Sequence, residues 1–204
     1  MQTPDKKIEI LNAARECFAR FGYDKTTLDD IGNLVGLNKA SLYYYYKNKE
    51  AIFGEVILLE MENAMQMLCA KIETIPGCRE KILAYIREKL RYMQNLLNVH
   101  NLSMEMFRKV QPALAHIFHQ VRTKEITFIN DVLLGGVERN ELMPSDTKRI
   151  ARTILTVMDA IKMEAFQGTD ARFVEKIDMT AVEEEIVFAV SLILDGLITK
   201  EPRA

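Results

Sequence analysis

The sequence predicts an all-α chain, an N-terminal three-helix domain followed by a larger helical domain. Three observations carry this. Apolar residues recur at helical spacing along the whole chain. The runs are interrupted at glycine and proline, notably Gly22, Gly36, Pro76-Gly77, Pro112, Pro144 and Gly168. Nowhere does an alternating strand pattern or a fixed-period repeat emerge. With 204 residues and 49% hydrophobic content, the chain has enough apolar surface for a sizeable core in one or two domains.

The first helix is expected over 5–21, with Ile8, Leu11, Ala14, Phe18 and Phe21 facing inward and Gly22 stopping it. Thr26 and Thr27 are N-cap types ahead of a second helix. Thr27-x-x-Asp30 is close to a capping box, with Asp in place of the usual Glu. Leu28, Ile31, Leu34 and Val35 give that helix one apolar face. Gly36 ends it, because glycine tolerates a left-handed C-cap. Asn38 caps a third helix over 39–45. Helix, glycine turn and short second helix are the parts of a helix-turn-helix.

Four consecutive tyrosines, Tyr43 to Tyr46, point around the whole circumference of the third helix. Leu42 and Tyr46 share the inward face, Tyr43 and Tyr44 fall outward, and Tyr45 lies at the flank. Between Asp30 and Glu50 there is no acid, while Lys39, Lys47 and Lys49 are present. Cations and hydroxyls on one short helix are what phosphate contact needs. The bland alternative is a solvated basic helix. A net charge of −2 fits a local basic site rather than a general nucleic-acid coat. Lys6 and Lys7 read as solvated charge near the chain end, with phosphate contact as the other possibility.

This stretch resembles the N-terminal DNA-binding domain of the TetR family of bacterial transcriptional regulators. The resemblance rests on Thr27, on Gly36-Leu37-Asn38, on Leu42-Tyr43-Tyr44-Tyr45-Tyr46 and on Lys49, and it spans roughly residues 6 to 54. Two positions depart from the family pattern. Gly32 replaces a small Ala, at about 1 kcal/mol of helix propensity. Tyr46 replaces Phe, so its hydroxyl needs a partner or water. The resemblance implies phosphate contacts from Thr27, Ser41, Tyr43, Tyr45 and Lys49, and a groove-facing set of Lys39, Ala40 and Tyr44. In such a set Lys39 would donate to guanine and Ala40 would touch a thymine methyl.

Asn48 caps a long helix expected over 49–72, a stiff connector between a head of residues 1–48 and a helical domain of residues 49–204. Further helices are expected over 78–97, 101–109, 112–140, 146–167 and 180–199, with a possible turn over 171–176. Apart from Met1, every methionine lies beyond residue 60. Methionine adapts to varied apolar partners, although core filling is the ordinary reading of any one. The family resemblance implies a ligand pocket in this domain, with Met61, Met65, Met93, Phe107, Phe128 and Met158 as lining candidates. The last two helices carry apolar stripes. The resemblance implies that they pair with a second copy through Ile154, Ile186, Val190, Ile193 and Leu197; completion of a monomer core is the alternative.

Nothing in the sequence points to an enzyme. There is no P-loop, GxSxG or dinucleotide fingerprint, and no Glu-x-x-His pair for a di-iron centre. His116 and His119 share a helical face without an acid or cysteine at ligand spacing, so neither metal nor cofactor is expected. Cys17, Cys69 and Cys78 read as buried small hydrophobes in a reducing cytosol. The N-terminus lacks the apolar core of a signal peptide and no run is long enough to span a membrane, so a cytoplasmic protein is expected. The reading is a homodimeric DNA-binding regulator, a repressor released from a palindromic operator by a small apolar or amphipathic ligand. The alternatives are a helical protein-interaction module, or a DNA-binding factor of the same fold without an inducer.

Overall fold

In the computed structural model the described residues are 4–99, 114–167 and 178–198. They form eight helices: α1 (Pro4–Lys25), α2 (Leu28–Leu34), α3 (Lys39–Tyr45), α4 (Lys49–Glu73), α5 (Cys78–Val99), α6 (Ala115–Glu138), α7 (Thr147–Gln167) and α8 (Met179–Asp195). The only pairing of strand type among them is an isolated bridge between Leu142 and Ile198. The helix expected over 101–109 and the turn over 171–176 lie outside the described residues. None of the described helices is long and apolar enough to cross a membrane.

The described residues fall into two compact units. The first comprises residues 4–63 with 94–99 and 114–119, and the second comprises 64–93, 120–167 and 178–198. The division falls inside α4, which runs unbroken for 25 residues.

In the first unit, α1 buries Ile10, Ala13, Ala14, Cys17 and Phe18. The buried face is turned from the expected one by about a fifth of a turn, with Ala14 and Phe18 common to both. Ile8 and Phe21 are 55% and 43% exposed, because the core is entered from the side of Ile10 and Cys17. Gly22 breaks the helical path with φ 77 and ψ 160, turning the chain toward α2. Phe18, Tyr23 and Phe53 then form an aromatic cluster, with ring centres 4.6 to 5.7 Å apart. Gly54 brings α4 close to the start of α6, since a Cβ there would meet the Leu114 and Ile117 methyls at 2.9 and 3.0 Å.

The second unit centres on Ile82, Tyr85 and Ile86 of α5, Ile129 and Leu133 of α6, Ile154 and Met158 of α7, and Ile186 and Val190 of α8. Arg79 pairs with Asp195 at 2.7 Å and Arg87 with Glu183 at 3.5 Å, so α5 and α8 run antiparallel. The Met143 amide donates to the Leu197 carbonyl at 2.8 Å, which sets the start of α7 beside the end of α8.

Candidate nucleic-acid interface

The corner that presents α3 is built from satisfied backbone groups. Thr27 caps α2: its hydroxyl accepts from the Asp30 amide at 3.1 Å and donates to Asp30 Oδ2 at 2.7 Å. Asp30 Oδ2 also accepts from the Thr27 amide at 2.8 Å, which completes the capping box. These hydrogen bonds from the Thr27 hydroxyl and amide hold the Asp30 carboxyl below its ordinary range. Thr26 is buried instead of capping, its hydroxyl donating to the Gly22 and Cys17 carbonyls at 2.8 and 3.1 Å.

Gly36 has φ 66, as a left-handed turn requires. The Leu37 amide returns to the Gly32 carbonyl at 2.9 Å. A Cβ on residue 32 would lie 2.4 Å from the Leu37 carbonyl oxygen, inside contact distance. This accounts for glycine where the family pattern has alanine. Leu34, expected inside, is 54% exposed because the seven-residue helix ends before its stripe can close on the core.

α3 starts at Asn38, whose side chain accepts from the Ser41 amide at 2.8 Å. Leu42 and Tyr46 are buried, Tyr43 and Tyr44 are 51% and 59% exposed, and Tyr45 is half-buried. The rotation about the helix axis is therefore the one the tyrosine run implies. The Tyr46 hydroxyl donates to Glu55 Oε2 at 2.8 Å, the partner that a Tyr in place of Phe requires. The Lys7 ammonium lies 5.3 Å from the centre of the Tyr46 ring.

Lys39 and Ala40 are exposed at the start of α3, on the open side with Tyr43 and Tyr44, and Ser41 is half-buried beside them. Lys49 is turned inward. Its ammonium donates to the carbonyls of Tyr23 at 2.8 Å, Thr26 at 2.9 Å and Asp24 at 3.4 Å, and lies 4.3 Å from the Tyr23 ring centre. Lys6 likewise reaches the Val35 carbonyl at 3.0 Å and Glu9 at 2.6 Å. Sequence reasoning missed both lysine clamps. Carbonyls left open at helix ends are invisible in a pattern of side chains, although a lysine spaced to reach a helix C-terminus is a usable signal.

Elsewhere the expected site residues are scattered. Phe107 lies outside the described residues. Met61 is half-buried in the first unit. In the second unit Met158 is fully buried, and Met65, Met93 and Phe128 are half-buried. Of these only Phe128 lines a cleft of about 450 Å³, with Cys69 and Ile72 of α4 and Val132 of α6. Cys69 is only half-buried, unlike Cys17 and Cys78. Ile154, Ile186 and Val190 are wholly buried within the protomer, packing α7 on α8, while Ile193 and Leu197 are half-buried. The apolar side chains that α8 turns outward are Phe188 and Leu192, 61% and 59% exposed.

A three-helix unit that presents a short, acid-free helix from a capped glycine corner defines a helix-turn-helix DNA-binding regulator. Residues 10–56 match the sequence model of the bacterial regulatory proteins of the tetR family. Over 161 residues the chain is 23% identical to the transcriptional regulator YhgD of Bacillus subtilis, covering 77% of this chain and 82% of that one. Over 51 residues it is 53% identical to IcaR of Staphylococcus epidermidis, the negative transcriptional regulator of a biofilm operon, covering 25% of this chain and 28% of the relative. A transcriptional regulator from Cytophaga hutchinsonii has the same fold, with TM-score 0.75 at 23% identity, covering 93% of this chain and 97% of that one. Residues 10–56 thus carry the sequence of a tetR-family head, and the chain shares its fold with solved transcriptional regulators. Regulators of the tetR family bind DNA and usually form homodimers.

Proposed function

We propose that the protein is a cytoplasmic, homodimeric repressor that binds a palindromic operator and is released from it by a small apolar or amphipathic ligand. The observation that carries this reading is α3 itself. It is free of acids, is held by a fully capped corner, and points Lys39, Ala40 and Tyr44 outward beside Tyr43 and Ser41. In the proposal Lys39, Ala40 and Tyr44 read base edges, while Ser41, Tyr43 and Tyr45 bond phosphates. Thr27 and Lys49 serve the same surface by fixing the helices that present it, since their polar groups are engaged within the head. The repressor assignment is supported by the S. epidermidis relative, a negative regulator whose likeness falls within a 51-residue segment.

Two heads on one dimer would meet successive major grooves about 34–36 Å apart, hence a roughly palindromic site. The dimer is proposed to form on the face of α7 and α8 that carries Phe188 and Leu192. The head of residues 1–48 and the helical domain of residues 49–204 are coupled through α4 in this reading. A ligand favouring a wider spacing of the heads shifts the population away from the DNA-competent state. Crosslinking two heads at the DNA-bound spacing should then abolish induction.

The test is selection of bound sequences from a random duplex pool at two salt concentrations. A palindromic motif with half-sites about one turn apart is expected. Binding that responds to salt but ignores sequence would overturn the reading.

A further inference from the structure

Three helices of the second unit turn charged side chains toward one another, with Glu125, Lys89 and Lys162 largely buried and Arg122 and Asp159 30% and 36% exposed. On α5, Tyr85 and Lys89 are four residues apart. Arg122 and Glu125 on α6 are three apart, as are Asp159 and Lys162 on α7. These spacings put each pair on one helical face. The faces are joined by direct bonds. Glu125 Oε1 accepts from the Tyr85 hydroxyl at 2.7 Å and from the Lys89 ammonium at 2.5 Å. Asp159 accepts from Arg122 and, at 2.7 Å, from Lys162. The Arg122 guanidinium also donates to Thr156 Oγ1 at 2.8 Å.

The charges of this cluster do not balance. Three cations face two carboxylates among the described residues, leaving one positive charge in excess. The side chains of Lys89 and Lys162 are only 16% and 15% exposed. Among the described residues each ammonium is bonded to a single carboxylate, although an ammonium carries three donor hydrogens. Burial pushes the Lys89 ammonium below its ordinary range. Glu125 counteracts this, and the neighbouring Lys162 charge adds to it. Burial favours the neutral form of Asp159, but Lys162, Lys89 and Arg122 together outweigh it and keep the carboxyl below its ordinary range. Two lysines that repel each other are a poor purely structural bridge. A buried charge is retained at low cost only when it is fully paired.

An apolar surface continues from the charged end. α5 and α7 each run antiparallel to α8, so they run parallel to one another. One turn beyond Lys89, α5 carries Tyr92 and Met93. Beyond Asp159, α7 carries Met163 and the buried Phe166 in the same direction. Of the expected lining residues, Phe128 borders this polar centre. Phe128 packs on the Tyr85 ring at 5.1 Å and Met158 adjoins Asp159 in sequence.

From this juxtaposition we infer that the second unit binds an organic monoanion with an apolar body, a carboxylate amphiphile, its head between Lys89 and Lys162 and its body toward Met93 and Met163. A single carboxylate removes the excess charge and can accept from both ammonium groups, which neither a neutral nor a cationic ligand does to the same effect. The inference rests on the reading that this protein has a small-molecule effector, and it fixes the chemical class of that effector.

The test uses the full-length protein without DNA, titrated in a calorimeter with decanoate, decanol and decyltrimethylammonium. Decanoate is expected to bind, decanol to bind about ten-fold or more weakly, and the cation not to bind. Lys89→Met and Lys162→Met should each remove the preference for the carboxylate over the alcohol. Equal affinity for decanoate and decanol in the wild-type protein would overturn the inference, without recourse to variants that could fail to fold. So would the absence of binding by every straight-chain carboxylate from hexanoate to tetradecanoate, or an unchanged preference in both folded variants. Operator release is measured separately. Decanoate that binds without releasing DNA leaves the anion site standing and counts against ligand-controlled release. Release by decanol or by the cation, with no carboxylate bound, supports release and overturns the anion site.

Discussion

Removing the charge of Lys49 separates two roles that sequence and structure assign to it. In the family pattern the residue is a phosphate contact, whereas in the structure its ammonium is bonded to the Tyr23, Asp24 and Thr26 carbonyls and sits over the Tyr23 ring. Lys49→Met keeps most of the stem and removes the charge. Two of the three hydrogen bonds are short and partly buried, and charge-assisted bonds of this kind contribute about 1.5–3 kcal/mol each at full burial. Discounting for partial exposure and shared donors, and adding about 0.5–1 kcal/mol for the ring contact, gives a loss of about 2–3 kcal/mol. The assay is urea unfolding of the DNA-free protein, followed by the salt dependence of DNA binding. A clamp predicts clear destabilisation and DNA affinity that recovers when osmolyte restores the fold. Unfolding within about 0.5 kcal/mol of wild type, together with a salt slope lower by about one, would refute the clamp and return Lys49 to the phosphate set.

Gly32→Ala should destabilise the head by about 1–2 kcal/mol net in thermal unfolding. The overlap with the Leu37 carbonyl outweighs the roughly 1 kcal/mol of helix propensity gained; a more stable variant would mean that the corner yields freely. The Asp30 carboxyl titrates lower in the folded chain than in the unfolded one, so its contribution is complete above the ordinary carboxylate range. It is lost as the pH falls through the folded value, below about pH 4. Unfolding midpoints for Asp30→Asn should therefore fall less steeply than those of the wild type on the acid side, and parallel curves would remove Asp30 from the acid response. Phe188→Asp should leave the protomer folded and shift sedimentation from dimer to monomer, because the side chain is 61% exposed in the single chain; an unchanged dimer would place the interface elsewhere.

Local chemistry made the head readable in advance. The cap at Thr27, the turn at Gly36 and the cap at Asn38 are each decided within four residues, and the tyrosine run fixes the rotation of α3 because Leu42 must be buried. What the sequence hid depends on distant neighbours. Ile8 and Phe21 lie on the apolar side of α1 but face away from the side that α2 and α4 occupy. On α8, Ile186 and Val190 face the core while Phe188 and Leu192 lie on the opposite face, and in a helix apolar on both sides periodicity cannot say which one meets a partner. The charged cluster is harder still to anticipate, since the bonds that join its helices span 34 to 40 residues, as in Arg122 with Asp159. On each helix alone they look like ordinary solvated charge.

The backbone bond from Met143 to Leu197 and the bridge between Leu142 and Ile198 close α7 and α8 into a ring. A hairpin fastened at its open end resists unzipping, so exchange of α8 between two copies must first break this stitch. Subunits built this way are expected to associate as finished hairpins, with each C-terminal helix retained by its own chain. The Met143 amide, protected only while the ring is shut, gives that barrier a single-residue reporter in hydrogen exchange.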